Sequence, residues 1–233
     1  MASAISFGES NSGLQAGIID CNVTTQFCNE EFKQWQDNQS SRLWIRGDPG
    51  KGKTMLLCSI IDELTRLIGD NSNISFFFCK ATDVRINNAI AVLRGLIYSL
   101  VEKQPSLLSY VRSRYDQAGK TLFEDINARN ALSKIFTDIL KDPALRNTYF
   151  VIDALDECTT DLPFLLDLLV QESSAHSRVK WIVSSRIWPD IEERLNIAPR
   201  AAPISLELNK ASVSDAVRKF IRYKVHQLAE VKK

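Results

Sequence analysis

Apolar and polar positions alternate along this chain in two rhythms. From residue 42 onward, short runs of consecutive apolar residues take turns with longer stretches of 3.6-residue period. Arg42-Leu43-Trp44-Ile45-Arg46 reads as a strand entering a glycine loop. Thr54 to Ile68 follows as a helix, with Leu56, Leu57, Ile60, Ile61, Leu64, Leu67 and Ile68 on one face. Ile74 to Cys79 and Thr148 to Ala154 read as buried strands, as do Val179 to Ser184 and Ile204 to Leu208. Helices are predicted over Ala89–Lys103, Ser106–Gln117, Ile126–Leu140, Leu162–Ser173, Pro189–Leu195 and Ser212–Lys232. Five nearly continuous apolar strands alternating with helices predict an α/β fold whose parallel sheet is covered on both faces.

The first 28 residues break this pattern. They mix Gly, Asn, Gln, Ser and Thr with single apolar residues, show no helical period, and hold no Lys, Arg or Pro. They predict a mostly disordered tail, residues 1–28, ahead of a folded domain, residues 29–233. Composition narrows the class further. In 233 residues the net charge is +1, with 24% charged residues. A balance so near zero argues against a nucleic-acid partner, which calls for a broad basic field. No apolar run approaches the ~18 residues of a membrane span. The start, Met1-Ala2-Ser3-Ala4-Ile5, lacks the basic and apolar regions of a secretion signal. Of the five cysteines (Cys21, Cys28, Cys58, Cys79, Cys158), none forms a CxxC pair. Reduced thiols in a cytoplasmic chain are the expectation. His176 and His226 lie in polar stretches and are assigned no role.

Three segments carry chemistry. Gly47-Asp48-Pro49-Gly50-Lys51-Gly52-Lys53-Thr54 fits GxxxxGK[ST] at every required position. Glycines let backbone N–H groups turn inward around phosphate oxygens. The helix that opens there adds its dipole and free N–H groups. Gly47 to Met55 is thus the candidate phosphate cradle, Lys53 reaching the β- and γ-phosphates and the Thr54 hydroxyl ligating Mg²⁺. Tyr149-Phe150-Val151-Ile152-Asp153 is the second segment. Asp153 emerges from the end of a buried strand, where it can hold the same ion. Asp156 and Glu157 follow at once. Glu157 is the first choice as general base for an attacking water and Asp156 the second, with helix capping or solvation as the alternative for either. Third, Trp181-Ile182-Val183-Ser184-Ser185-Arg186 delivers Arg186 to the same sheet edge. There it either contacts the γ-phosphate or forms a surface ion pair.

Together these segments resemble the NACHT domain of the STAND class of P-loop NTPases. The likeness is greatest to fungal NOD-like receptors of the heterokaryon-incompatibility type. It rests on Leu43 to Leu56, Val92-Leu93-Arg94-Gly95-Leu96-Ile97, Ile152 to Cys158, and Val183-Ser184-Ser185-Arg186. The resemblance implies a three-layer sheet of the ASCE type in strand order 5-1-4-3-2, with the Arg186 strand between the P-loop strand and the Asp153 strand. It implies ATP or ADP, or GTP, with Mg²⁺, and a switch that rests with ADP and self-associates with ATP. Residues 29–233 would then be a nucleotide-binding domain truncated before the helical lid and winged helix. Phe7 to Ile19, continuing to Val23 and Phe27, resembles the sigma-type amyloid signalling motif. That likeness implies an effector with a matching motif, and an output in programmed cell death or innate defence. A low-charge, proline-free segment with stackable Asn and Gln has the chemistry for in-register β-stacking. Slow hydrolysis is expected of an isolated site, since an arginine supplied in trans accelerates it by ~10³–10⁵. A constitutive P-loop ATPase and a non-hydrolysing adaptor are the alternatives.

Overall fold

The computed structural model describes residues 35, 41–67, 71–119, 127–196 and 201–205. In chain order the elements are β1 (Arg42–Arg46), α1 (Lys53–Leu67), β2 (Ser72–Phe78), α2 (Ala89–Lys103), α3 (Leu108–Ala118), α4 (Ala128–Leu140), β3 (Asn147–Asp153), α5 (Leu162–Ala175), β4 (Val179–Ser185), α6 (Pro189–Asn196) and β5 (Ala201–Ser205). Short 3₁₀ turns cover Pro105–Leu107 and Leu155–Glu157. Across the sheet the order is β2-β3-β4-β1-β5, and every pairing is parallel. Strands β1 to β4 carry the described core, and β5 lies at the edge beside β1.

Alternation along each strand splits the core between the two faces. Leu43 and Ile45 of β1, Val151 of β3 and Ile182 of β4 meet Leu56, Leu57, Ile60 and Ile61 of α1. Trp35 joins this layer, edge-on to Tyr149 with ring centroids 6.1 Å apart. Lys180 Nζ donates to the Trp35 carbonyl at 2.7 Å. The opposite face presents Trp44, Phe150, Ile152, Trp181 and Val183 to helices α2, α4, α5 and α6. Phe150 stacks on Trp181 at 4.6 Å, and Phe136 of α4 closes on Phe150 at 5.1 Å. Burial on both faces is why these strands read as continuous apolar runs.

The register fixes what the loops can do. Arg46 pairs with Ser185, and Phe78 with Asp153. Strands β1 to β4 therefore end at one edge, and the loops beginning at Gly47, Cys79, Ala154 and Arg186 leave side by side. Cys79 N–H donates to the Asp153 carbonyl at 3.1 Å, and Gly47 N–H to the Ser185 carbonyl at 3.3 Å.

Several expected boundaries shift. The last strand lies at Ala201–Ser205, earlier than Ile204–Leu208. Its pairing with β1 sets Ala202 beside Leu43 and Pro203 beside Trp44. Two alanines and a proline give no β signal, yet an edge position tolerates proline. The helix expected from Ser106 begins as a 3₁₀ turn headed by Pro105, and α3 proper starts at Leu108. Helix α2 matches its expected span. The Asn88 side chain caps it by accepting from Ala91 N–H at 2.8 Å. The backbone leaves helical geometry at Gln104, as the following proline requires. The tail, residues 1–28, and the helix expected over Ser212–Lys232 lie outside the described residues.

Helix α2 crosses β2 at a glycine. A Cβ added at Gly95 would sit 2.5 Å from the ring of Phe77. Alanine's advantage over glycine within a helix, about 1 kcal/mol, is outweighed by a clash of that depth. Gly95→Val is expected to destabilise the domain by about 1–3 kcal/mol in urea denaturation, with Phe77→Ala in the same chain recovering part of the loss. Unchanged stability of Gly95→Val would show that α2 can back away from the sheet.

Candidate functional site

The loop between β1 and α1 turns on two glycines in the left-handed region, Gly50 at φ 77° and Gly52 at φ 83°. A side chain at either position would strain the backbone. Helix α1 begins directly after them, its first bond running from Leu56 N–H to the Gly52 carbonyl at 2.9 Å. The amides of the first turn are thereby left without helical partners. A cavity of about 440 Å³ opens over this turn. It is lined by the loop from Pro49 to Met55 and, from the other strand ends, by Asp153, Ala154, Asp156, Glu157 and Arg186. This size suits a small-molecule ligand. Gly47 and Asp48 precede the lining residues. Their carbonyls accept from Lys53 Nζ at 2.6 and 2.9 Å. Burial pushes the Lys53 ammonium below its ordinary value, while Asp156 and Asp153 oppose that shift.

The acid strand meets the loop directly. Thr54 Oγ1 donates to Asp153 Oδ2 at 2.6 Å, and Ser184 Oγ donates to Asp153 Oδ1 at 2.5 Å. Asp153 is buried, so both carboxylate oxygens are satisfied by hydroxyls rather than by bulk water. The chain then turns through Ala154, at φ 52° and ψ 51° in the left-handed region. Such a conformation in a residue other than glycine costs of order 1–3 kcal/mol and marks a place where the surroundings dictate the backbone. Here Ala154 N–H donates to Ser184 Oγ at 2.9 Å.

The turn places Asp156 and Glu157 differently. Asp156 is buried and faces Arg186. Its Oδ1 accepts the Arg186 backbone N–H at 2.9 Å, and its Oδ2 accepts Nε at 2.5 Å. That bond raises the Arg186 guanidinium above its ordinary value. Arg186 also lies over the half-exposed ring of Trp188, 5.0 Å from its centroid. Glu157 reaches the opposite way. Its Oε2 accepts Ala81 N–H at 2.9 Å, on the loop that follows β2. Thr159 and Thr160 extend this seam by donating to the Asn87 carbonyl.

All of the predicted chemical residues therefore converge on one edge. Ser184, Ser185, Trp188 and Ala81 were not foreseen. Two hydroxyls ending an apolar strand are a signal that could have flagged the serines, since buried hydroxyls need partners. Ser185 Oγ accepts the Trp44 indole N–H at 2.9 Å and donates to the Arg186 carbonyl at 2.8 Å. Ala81 offers only a backbone donor, which leaves no trace in sequence. Cys79 and Cys158 are free thiols. Burial pushes the Cys158 thiol up to about 11 and Cys79 higher still, so both are inert at neutral pH. His176 lies away from this edge and bonds Glu172 at 3.0 Å. Among the described residues no helix is long and apolar enough to cross a membrane.

The donor set fits a small hard cation with a nucleotide. A hydroxyl and a carboxylate lie together at the mouth of a phosphate-sized loop, and Mg²⁺ is ordinarily held by one or two carboxylates plus phosphate and water. The described residues include no cluster of three or more His, Cys, Asp or Glu that would hold a metal by itself.

The sequence profile of the family described as nephrocystin 3, N-terminal, matches residues 23–186. The vegetative incompatibility protein HET-E-1 of Podospora anserina is 56% identical over 216 residues, covering 92% of this chain. The chain spans 16% of that relative's length. Among solved structures, the Walker-type ATPase PABY2304 of Pyrococcus abyssi aligns over 76% of this chain and 53% of its own, at 12% identity and a TM-score of 0.47. The cytoplasmic domain of the type VII secretion ATPase EccC of Thermomonospora curvata aligns over 67% of this chain and 19% of its own, at 18% identity and a TM-score of 0.37.

Proposed function

The chain belongs to the nephrocystin 3 N-terminal family, and from that premise we propose that it is the nucleotide-binding switch of a NOD-like receptor of the fungal incompatibility type. The observation that carries the reading is the contact between Thr54 and Asp153, 2.6 Å apart at the mouth of the glycine loop. The parallel sheet, with β4 between β1 and β3, brings the loop and the acid strand to the same edge. The ligand is ATP or ADP, with GTP as the other candidate, together with Mg²⁺. The metal supplies charge neutralisation across the phosphates.

Each side chain then has a task. Lys53 exchanges the carbonyls of Gly47 and Asp48 for β- and γ-phosphate oxygens. Thr54 and Asp153 are the protein's holders of the metal. Arg186 faces the γ-phosphate as a planar cation. Asp156, with both oxygens on Arg186, positions that cation rather than accepting a proton. The base is therefore Glu157, which must first leave Ala81 N–H to orient a water. This prior engagement suits slow turnover. It also favours the second reading, a non-hydrolysing adaptor, in which Glu157 stays latched to the loop after β2. On either reading the bound state controls self-association in the cytoplasm. Self-association clusters the tails of residues 1–28, which template a matching segment in an effector of cell death or defence.

Three measurements test this. Lys53→Ala is expected to abolish ATP binding in calorimetry, and undiminished affinity would remove the central claim. Glu157→Gln should bind ATP as the parent does while releasing no phosphate. Phosphate release at the parental rate would move the base elsewhere, and a parent that itself releases none would select the adaptor reading. A peptide of residues 1–28 should form fibrils with the ~4.7 Å cross-β repeat that seed fresh peptide. A peptide that stays monomeric at high concentration would leave the tail without a templating role.

A further inference from the structure

We propose that Ser184 is a positioning residue for the metal site, setting the orientation of Asp153 from the neighbouring strand. The inference rests on reading the cavity as a Mg²⁺-nucleotide site. It adds to that reading a residue that touches neither phosphate nor metal.

Ser184 is fully buried in β4, between Ile45 of β1 and the end of β3. Ile152 pairs with Val183, so Asp153 and Ser184 are the next residues along their strands. A serine hydroxyl has one proton to donate and lone pairs to accept with. Here both capacities are used on the acid turn. The proton goes to Asp153 Oδ1 at 2.5 Å, and a lone pair takes Ala154 N–H at 2.9 Å. The bond to the carboxylate is charge-assisted and short, the stronger kind. It holds Oδ1 toward β4 and thereby turns Oδ2 toward Thr54 and the glycine loop.

Two degrees of freedom are fixed by this one hydroxyl. The first is rotation of the Asp153 carboxylate, a broad two-fold torsion that does not lock itself. The second is the left-handed turn at half-buried Ala154, whose N–H finds its acceptor in the same hydroxyl. Were a bound metal to take the Thr54 hydroxyl, Asp153 would lose one of its two hydroxyl anchors. Ser184 is the anchor that stays. Groups that orient a metal ligand from behind typically change metal affinity by about 10–100-fold when removed.

The test measures ATP affinity of the full chain by calorimetry, once in EDTA and once with Mg²⁺. The variants are Ser184→Ala, Asp153→Asn and both together. Affinity in EDTA should remain within about twofold of the parent for Ser184→Ala, while the gain conferred by Mg²⁺ should shrink about tenfold. Asp153→Asn should lose most of that gain, and the double variant should lose no more than Asp153→Asn alone, because the serine acts through the carboxylate. Ser184→Thr, which keeps the hydroxyl, should restore the gain. If Ser184→Ala does not fold, Ser184→Cys, similar in size and a weak donor, serves in the same comparison. A full Mg²⁺ gain in Ser184→Ala would overturn the proposal. So would equal losses in EDTA and Mg²⁺, or independent addition of the two substitutions. A parent chain that binds no ATP in either condition would instead fail the nucleotide reading on which the proposal stands.

Discussion

The Asp153 carboxylate is the point on which this sheet edge depends. It is a buried charge, and a buried charge is stable only when its oxygens are bonded. One oxygen is bonded to α1 through Thr54 and the other to β4 through Ser184. The acid strand, the phosphate loop and the Arg186 strand therefore cannot move independently without leaving a carboxylate oxygen unpaired. That single requirement ties the end of β3 to both of its functional neighbours.

The remaining polar contacts extend outward from that tie. Asp156 carries the constraint from the acid turn to Arg186, and Glu157 carries it to the loop after β2. Ser185 links Arg186 back to Trp44 within the core. Arg46, directly before the glycine loop, bonds Glu192 of α6 at 2.5 Å. The acid turn is thus tied to the segment between β2 and α2, and the strand before the glycine loop is tied to α6. The apolar layers lie below, with Phe136, Phe150 and Trp181 filling one face and α1 the other.

Legibility followed the physics of each group. The glycine loop was readable because close approach to phosphate restricts both residue type and spacing over a few consecutive positions. Asp153 was readable because a carboxylate that ends a run of four apolar residues is costly to bury unless it binds something there. Asp156 and Glu157 were found as a pair, but not their opposite engagements, since those depend on the left-handed turn at Ala154. Strand β5 was misplaced because Ala201, Ala202 and Pro203 have no β preference, and their pairing is imposed by β1. Gly95 lies in a segment that carries the family resemblance, and only the structure shows Phe77 of the edge strand packed against it.

What the sequence determined by itself was local: the alternation of strands and helices, the phosphate loop, the acid at the end of its strand, and the arginine at the end of another. These follow from periodicity and from chemistry confined to a few consecutive residues. What only the tertiary structure decided was which of those groups hold one another. Ser184 holds Asp153 and Asp156 holds Arg186, while Glu157 is spent on Ala81. The physical reason is range. Each of these bonds joins residues from different strand ends, and only the parallel register of the assembled sheet brings their atoms within 3 Å.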